Sequence, residues 1–575
     1  MTEIKKDKLI AVLIISFLST LSFRLFIKEG PNFAWIVIFL LIFITVKQIF
    51  HMKIERRVVF ASIVVGFACS LFVCLGIILQ ENEKFVFNLK TVFSGLYFWL
   101  FLTCCFSGII KALLDSSSAK PLLTETRGIW KHWLLQFLLL LICWMPYLIA
   151  CFPGNMNSDF FGEVRQQLGM SPLSNHHPII HQLMIRFCLV IGMKFGGVDN
   201  GIALFTVMQM ICMAAVFSGC ICFLRLCGIN KAIVIGAFCL YAFYVINGFY
   251  SVTLYKDIPF SAVTLLLMIM LIRELRGDFQ NKKNRLAVLA FMVLLAFLFC
   301  TIRNNGYYAF LLGMIFIIIL NIKHGKRLLI LLVSTLLLVS GYKYLLFNVY
   351  QVQKSSSVEM LGLPLQMIAR VVKEENPDLG NEDFLVLSEV IPDYQAFSED
   401  YIPNTIRLLK TDFRAEVFDT NPSRYIKRWI NVGLQYPRTY LDALLLHTQG
   451  FWDPNLNTSS VTVLIEQPND FGISQNERFE RLREMLIQNY IILSNHSVFS
   501  VFFSIGFLIL AYLFVFTVLL LKGQKCFASP IIILAALWGT TIDAPSCHYH
   551  YIYALAAAFP LFAAGAIALP NKEKA

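Results

Sequence analysis

Apolar runs long enough to cross a bilayer recur along this whole sequence, and no other feature limits its fold as strongly. Runs near the roughly 17–25 residues that a spanning helix needs fall at 9–27, 32–50, 58–80, 93–114, 132–152, 200–225, 232–249, 258–275, 287–302, 306–322, 328–347, 497–521, 529–542 and 549–569. A chain of 575 residues that is 58% hydrophobic and only 15% charged, with a mean hydropathy of +0.69, lacks the polar surface of a soluble protein. The expectation is an all-α polytopic membrane protein of about 14 transmembrane helices. The runs at 287–302 and 529–542 are the shortest.

Charge placement orients that bundle. The net charge of +12 would suit a nucleic-acid partner if it formed one basic surface, but it does not. Residues 349–496 hold 13 Lys and Arg against 20 Asp and Glu, a balance of −7, which leaves +19 for the rest of the chain. Those cations cluster in short connections at 5–8, 51–57, 120–131, 225–231, 276–285, 323–327, 522–525 and 572–574. With fourteen crossings all eight fall on one side, which the positive-inside rule makes cytoplasmic. The expected location is a bacterial plasma membrane with both termini inside and no nucleic-acid partner. Lys5, Lys6 and Lys8 precede a long apolar run without a small-residue cleavage site, so that run reads as a first transmembrane helix. Most of the fifteen cysteines, Cys104, Cys105, Cys212, Cys220, Cys222, Cys239 and Cys300 among them, sit inside apolar runs as small core residues.

Four regions follow: a four-helix membrane unit at 1–130, a transmembrane core at 131–348 with a first external loop at 153–199, an extracytoplasmic segment at 349–496, and C-terminal crossings at 497–575. The 349–496 segment reads as helical, with helices at 361–372, 424–431 and 437–449. Its aromatics Trp429, Tyr436, Tyr440, Phe451 and Trp452 suggest a membrane interface. No internal repeat is visible and mid-helix charges are few, which favours chemistry at one face over transport through the bilayer.

The polar residues next to the membrane are costly unless they line a water- or substrate-filled cavity. In 151–182, Asp159, Glu163, Arg165, His176, His177 and His181 interrupt the apolar pattern, with Arg186 just beyond. Asp159 either caps the following helix or acts as a general base on a hydroxyl acceptor. Asn175-His176-His177-Pro178 is either a helix start or a contact for phosphate or sugar. His177 and His181, four apart, share a helical face that could hold a metal, but no matching acid supports one. Lys256-Asp257-Ile258-Pro259 is a helix start whose lysine either snorkels or meets a phosphate. In Arg303-Asn304-Asn305-Gly306 a turn accounts for the asparagines and for Gly306, taken here as permitting positive φ. It does not account for Arg303, whose guanidinium suits a phosphate. His548 and His550 face the same external side.

Together these motifs carry a resemblance. Asp159, Gln167, His176-His177-Pro178, Lys256-Asp257-Ile258-Pro259, Arg303-Asn304-Asn305-Gly306, Pro364-Leu365-Gln366, Trp452-Asp453-Pro454 and the Tyr-rich last helix resemble membrane glycosyltransferases of the C superfamily, the GT-C fold. The likeness is to the protein-mannosyl and aminoarabinose transferase type, and more closely to a group of uncharacterised bacterial GT-C-like proteins. It covers about 130–570, leaving the first four crossings outside. It implies a GT-C-like fold and inverting transfer of a sugar from a polyprenyl-phosphate donor to a glycan, lipid or protein acceptor. Asp159 would be the catalytic carboxylate. His176, His177, Lys256, Asp257, Arg303, Asn304 and His550 would contact donor phosphate or sugar, and Glu163 and Gln167 would serve as second acid or acceptor contacts. No cofactor is required by that chemistry. One departure stands out: His550-Tyr551 occupies the place of an Arg-Tyr pair, which either removes a phosphate role there or makes it depend on pH. A lipid-linked glycan polymerase or ligase, and a flippase of lipid-linked precursors, are the competing readings.

Overall fold

The computed structural model describes residues 6–26, 32–116, 128–279, 282–461 and 464–572, so the charged stretches at 1–5, 117–127 and 573–575 lie outside the described residues. Each of the fourteen apolar runs is helical. Nine helices among the described residues are long and apolar enough to cross a membrane, and ten if the pair Lys231–Phe243 and Val245–Ser251, bent by 53°, forms one span. The two runs expected to be weakest qualify, as Asn284–Ile302 and Lys525–Asp543. The shorter apolar helices lie at Lys8–Ser22, Trp35–His51, Asn304–Leu320 and Ile505–Leu521. Among the described residues the only β-type pairings are isolated bridges.

Helix Asp257–Arg276 is the axis of the bundle: 78% of its apolar window is buried, against 17% for Leu89–Asp115. It packs on Val198–Leu226, Lys282–Ile302 and Tyr553–Ala568, and a helix apolar on every side belongs in such a position. At its far end, Arg276 donates to the Cys227 sulfur at 2.8 Å, and Glu274 pairs with Arg327 at 2.8 Å. The basic connections after 226, 276 and 321 therefore meet at one end of the bundle, as the alternation of charges requires.

The first helices, Lys6–Phe26, Asn32–His51, Arg56–Asn82 and Leu89–Asp115, pack together through small residues. Ser22 donates to the Ser94 carbonyl and Ser70 to the Gly95 carbonyl, both at 2.7 Å, the close approach that drives helix association where water provides no driving force.

The region at 153–199 carries the two helix starts read at Asp159 and at Pro178. It holds two helices, Ser158–Gln167 and Ile179–Lys194. The second exposes Leu183, Phe187, Val190 and Met193 along one side, an apolar stripe suited to the bilayer interface. Gly192 meets Gly201 where this helix crosses the next; a Cβ at 192 would lie 2.0 Å from the Gly201 nitrogen.

Residues 349–496 form the helical segment expected, with Gly362–Glu375, Pro422–Gln435 and Pro437–Thr448 at the anticipated places. The part the sequence left unread contains three six-residue helices, Glu382–Leu387, Tyr394–Glu399 and Ala415–Thr420. Ile368, Phe384, Tyr394, Phe418, Tyr425 and Val432 form its own core. Of the aromatics assigned to a membrane interface, Tyr440, Phe451 and Trp452 are buried, and Trp429 and Tyr436 are partly so. Trp429 stacks on Tyr440, Phe451 is buried, and Trp452 packs against Phe72 of the N-terminal unit. Their spacing could not separate the two roles, because packing and interfacial anchoring both select large aromatics.

Asp453 is the joint between these parts. Fully buried, it accepts hydrogen bonds from Gln80 at 2.8 Å, Gln449 at 2.9 Å and the Asn455 amide at 2.9 Å. Added Cβ atoms at Gly76 or Gly506 would come within 2.3–2.4 Å of this residue, so it sits between two glycine notches. Arg370 and Arg438 donate to the carbonyls of Glu83 and Phe85, and the Phe85 amide donates to Asp442 at 2.7 Å.

Candidate active site

Four stretches far apart in sequence bring helix starts to one place. Asn157–Asp159, Tyr255–Lys256, Arg303–Asn305 and the 540–551 connection line a single polar cavity of about 1010 Å³, closed on the other side by Glu359, Thr405, Arg407 and Lys410. Helices Ser158–Gln167, Asp257–Arg276 and Asn304–Leu320 all begin at this cavity. Their unpaired amides and dipoles favour negative charge there, each equivalent to about half a positive charge.

Asp159 stands on the first of these helices. The capping role belongs to its neighbours: Asn157 accepts from the Phe160 amide at 3.1 Å, and Glu466 accepts from the Ser158 amide. Asp159 is exposed in the cavity and makes no hydrogen bond or ion pair among the described residues. Of the four carboxylates on the wall, Glu359 pairs with Lys410, Glu466 holds Ser158, and Asp543 accepts from the Leu363 amide at 3.1 Å. Asp159 alone is uncommitted.

Arg303 and Asp257 form a buried ion pair at 3.1 Å. Arg303 also donates to the Tyr551 carbonyl and lies over the rings of Phe260 and Tyr551, at 5.8 and 5.4 Å. Asp257 was expected to touch the donor, but it stands behind the wall and orients Arg303. Gly306 has no positive φ, and neither asparagine does. The glycine is needed because a Cβ there would lie 2.1 Å from the Phe299 carbonyl, where two helices nearly touch across the break.

The histidine cluster divides. His176 and His177 line the cavity with their rings 4.5 Å apart, whereas His181 is fully buried, its Nδ1 2.6 Å from Glu163. Glu163 is enclosed too. Burial alone would raise its pKa, but the charge and hydrogen bond of His181 outweigh that and hold it below the ordinary value. His177 Nδ1 lies 3.4 Å from Lys256 Nζ and 3.7 Å from Glu163 Oε1. One nitrogen cannot accept from the ammonium and donate to the carboxylate, so the shorter contact decides: Nδ1 accepts and the proton sits on Nε2. Burial, then the Lys256 charge, pushes the His177 pKa down to about 3, which keeps the ring neutral.

Glu163 and Gln167, expected as second acid or acceptor contacts, do not reach the cavity. Glu163 faces the histidines, and Gln167 bonds to Gln182 at 2.7 Å. They lie four and eight positions beyond Asp159 on that helix, about 6 and 12 Å further along its axis, which carries them past the cavity. Among the described residues no group of three His, Cys, Asp or Glu side chains is placed to hold a metal, and His177 and His181 both turn Nδ1 to Glu163. All fifteen cysteines are free thiols.

Asn304 lines the cavity and His550 stacks on Tyr255, rings 4.5 Å apart. His548 follows at 5.4 Å from His550. Burial lowers the pKa of His176 and of His548, and the negative charge of Asp159 opposes both shifts, which puts that carboxylate beside the two rings. Lys343, Glu359, Arg407, Lys410 and Asp543 also line the site and escaped the sequence reading. Lys343, at the end of an apolar run, was detectable as a costly charge. Arg407 and Lys410 carried no such signal within a charge-rich segment.

A family of unknown function, DUF6020, matches residues 168–573, more than two-thirds of the chain, and the chain belongs to that family. The matched part includes His176 to His550 and begins after Asp159 and Glu163. Comparison with curated proteins and with solved structures returned no match.

Proposed function

For this member of the DUF6020 family we propose a GT-C-type glycosyltransferase of the bacterial plasma membrane, with about 14 crossings, both termini cytoplasmic and the cavity on the outer face. It transfers a sugar from a polyprenyl-phosphate donor to a hydroxyl of a glycan, lipid or protein acceptor. One observation carries this reading: an uncommitted carboxylate, Asp159, shares a polar cavity at one end of an apolar bundle with Lys256 and Arg303. The acceptor oxygen attacks the anomeric carbon and its proton passes to Asp159. The bond from that carbon to the phosphate oxygen breaks, and its electron pair leaves with polyprenyl phosphate. Lys256, Arg303 and the start of helix Asn304–Leu320 hold the charge, with the His177 Nε2–H as a neutral donor. Fixed donors and dipoles aimed where charge develops are a leading source of catalysis. Phosphate leaves readily, so the mechanism asks for no strong acid. Inversion follows from direct displacement.

The test is transfer of radiolabelled sugar from a lipid-linked donor by the full chain in vesicles. Asp159→Asn should slow transfer by about 10²–10⁴-fold while donor binding persists. Undiminished transfer by that variant would remove Asp159 from the mechanism. Lipid-linked donor crossing the bilayer with no new glycosidic bond would replace an enzyme by a flippase, and long products by a polymerase.

A further inference from the structure

The wall opposite the helix starts carries a cation with nothing to balance it. Arg407 is exposed in the cavity, and its guanidinium has no partner among the described residues, whereas its neighbour Lys410 is neutralised by Glu359. Its mount is rigid. The Ile406 amide donates to the Pro545 carbonyl at 3.0 Å, and Thr405 bridges to Ser546. Gln366, fully buried, donates to the carbonyls of Ile402 at 2.8 Å and Thr405 at 2.7 Å. The Leu363 amide is held by Asp543 at 3.1 Å. The Gln366 bonds are what the Pro364-Leu365-Gln366 stretch contributes, and the pairings of Thr405 and Ile406 fasten the turn that bears Arg407 to the connection that bears His548. His548 lies within electrostatic reach of both Arg407 and Asp159.

A fixed, uncompensated guanidinium facing a cavity is a fork for a phosphate or carboxylate. The first set of cations, Lys256 and Arg303, stands on the membrane helices. Arg407 stands on the 349–496 segment and lines the same cavity as the carboxylate that would receive the acceptor's proton. We propose that Arg407 is a second anion subsite, and that the acceptor is an anionic molecule whose phosphate binds Arg407 while a nearby hydroxyl meets Asp159. This rests on the glycosyltransferase reading for the role of Asp159. The same chemistry could also arise from the second phosphate of a diphosphate-linked donor, and the arms below separate the two.

The experiment is calorimetric titration of the full chain in nanodiscs loaded with polyprenyl monophosphate, which fills the first subsite. Glycerol phosphate should bind, and glycerol should not. Arg407→Gln should weaken glycerol phosphate on the order of tenfold or more, the loss expected for a charge-assisted pair. Arg407→Lys should recover part of that, and Lys256→Gln should leave it within about twofold. Unchanged binding in Arg407→Gln, a loss confined to Lys256→Gln, or equal binding of glycerol would overturn the proposal. So would polyprenyl diphosphate displacing glycerol phosphate in wild type but not in Arg407→Gln, because the subsite would then belong to the donor. Polyprenyl monophosphate that fails to bind at all, with glycerol phosphate still dependent on Arg407, would sink the donor assignment and leave the subsite standing. A matched melting profile for Arg407→Gln separates lost contact from lost fold.

Discussion

The two walls of the cavity make a useful contrast. The membrane wall presents Asp159, Lys256 and Arg303 at the starts of helices that are otherwise apolar. The opposite wall presents Arg407 and Lys410 from a turn in a segment full of charge. A charge beside hydrocarbon is retained only against a cost of several kcal/mol, which made Asp159, Lys256 and Arg303 visible in the sequence. A charge in the 349–496 segment costs little, so those on the second wall blended with their neighbours. Legibility followed the local solvent more than the importance of the residue.

If the walls divide the labour between chemistry and acceptor recognition, their variants should fail differently. Asp159→Asn should lower kcat for every acceptor by about 10²–10⁴-fold, the range for a positioned general base, as measured by single-turnover transfer. Next in size is Arg303→Ala. It leaves Asp257 buried without a partner and should cost about 3–5 kcal/mol, measured by thermal unfolding in detergent, while Asp257→Asn with Arg303 retained should cost less. Arg407→Gln should raise the KM of an anionic acceptor on the order of tenfold at nearly constant kcat. Equal kcat losses from both walls would break the contrast.

The smallest effect is a dependence of stability on pH. His177 takes up a proton near its ordinary 6.5 in the unfolded chain but only at about 3 in the native protein. The unfolded state therefore binds more protons between those values, and stability falls as pH drops below 6.5. The lowered values of His176 and His548 act in the same direction. The lowered value of Glu163 adds a loss only below its ordinary 4.5, and a His177→Gln variant separates the His177 share from every other group that titrates above that. Melting temperature against pH should be flatter between 6.5 and 4.5 in His177→Gln than in wild type.

Much of the fold was readable because helices in lipid must satisfy their own backbone, which turns hydropathy into architecture. All fourteen runs proved helical. What failed were questions of placement. Glu163 and Gln167 share the helix of Asp159, and its side, but lie about 6 and 12 Å further along the axis and so miss the cavity. Gly306 was legible as necessary yet assigned the wrong necessity, since a glycine demanded by contact looks the same in sequence as one demanded by φ. The aromatics at 429–452 were legible as buried-or-anchored and no further.

The seat of Asp453 between Gly76 and Gly506 bears on how the molecule is assembled. The chain is made from its N-terminus, so helix Arg56–Asn82, with Gly76 and Gln80, is in place before Asp453 is synthesised. The first four helices, all ahead of the family-matched region, thus provide a dock already built when the large polar segment emerges. Gln449 and Asn455, close to Asp453 in sequence, are made with it, and Gly506 closes the second side only later. Order of synthesis and order of fit coincide, and a chain begun after residue 82 would deliver its polar segment with nowhere to land.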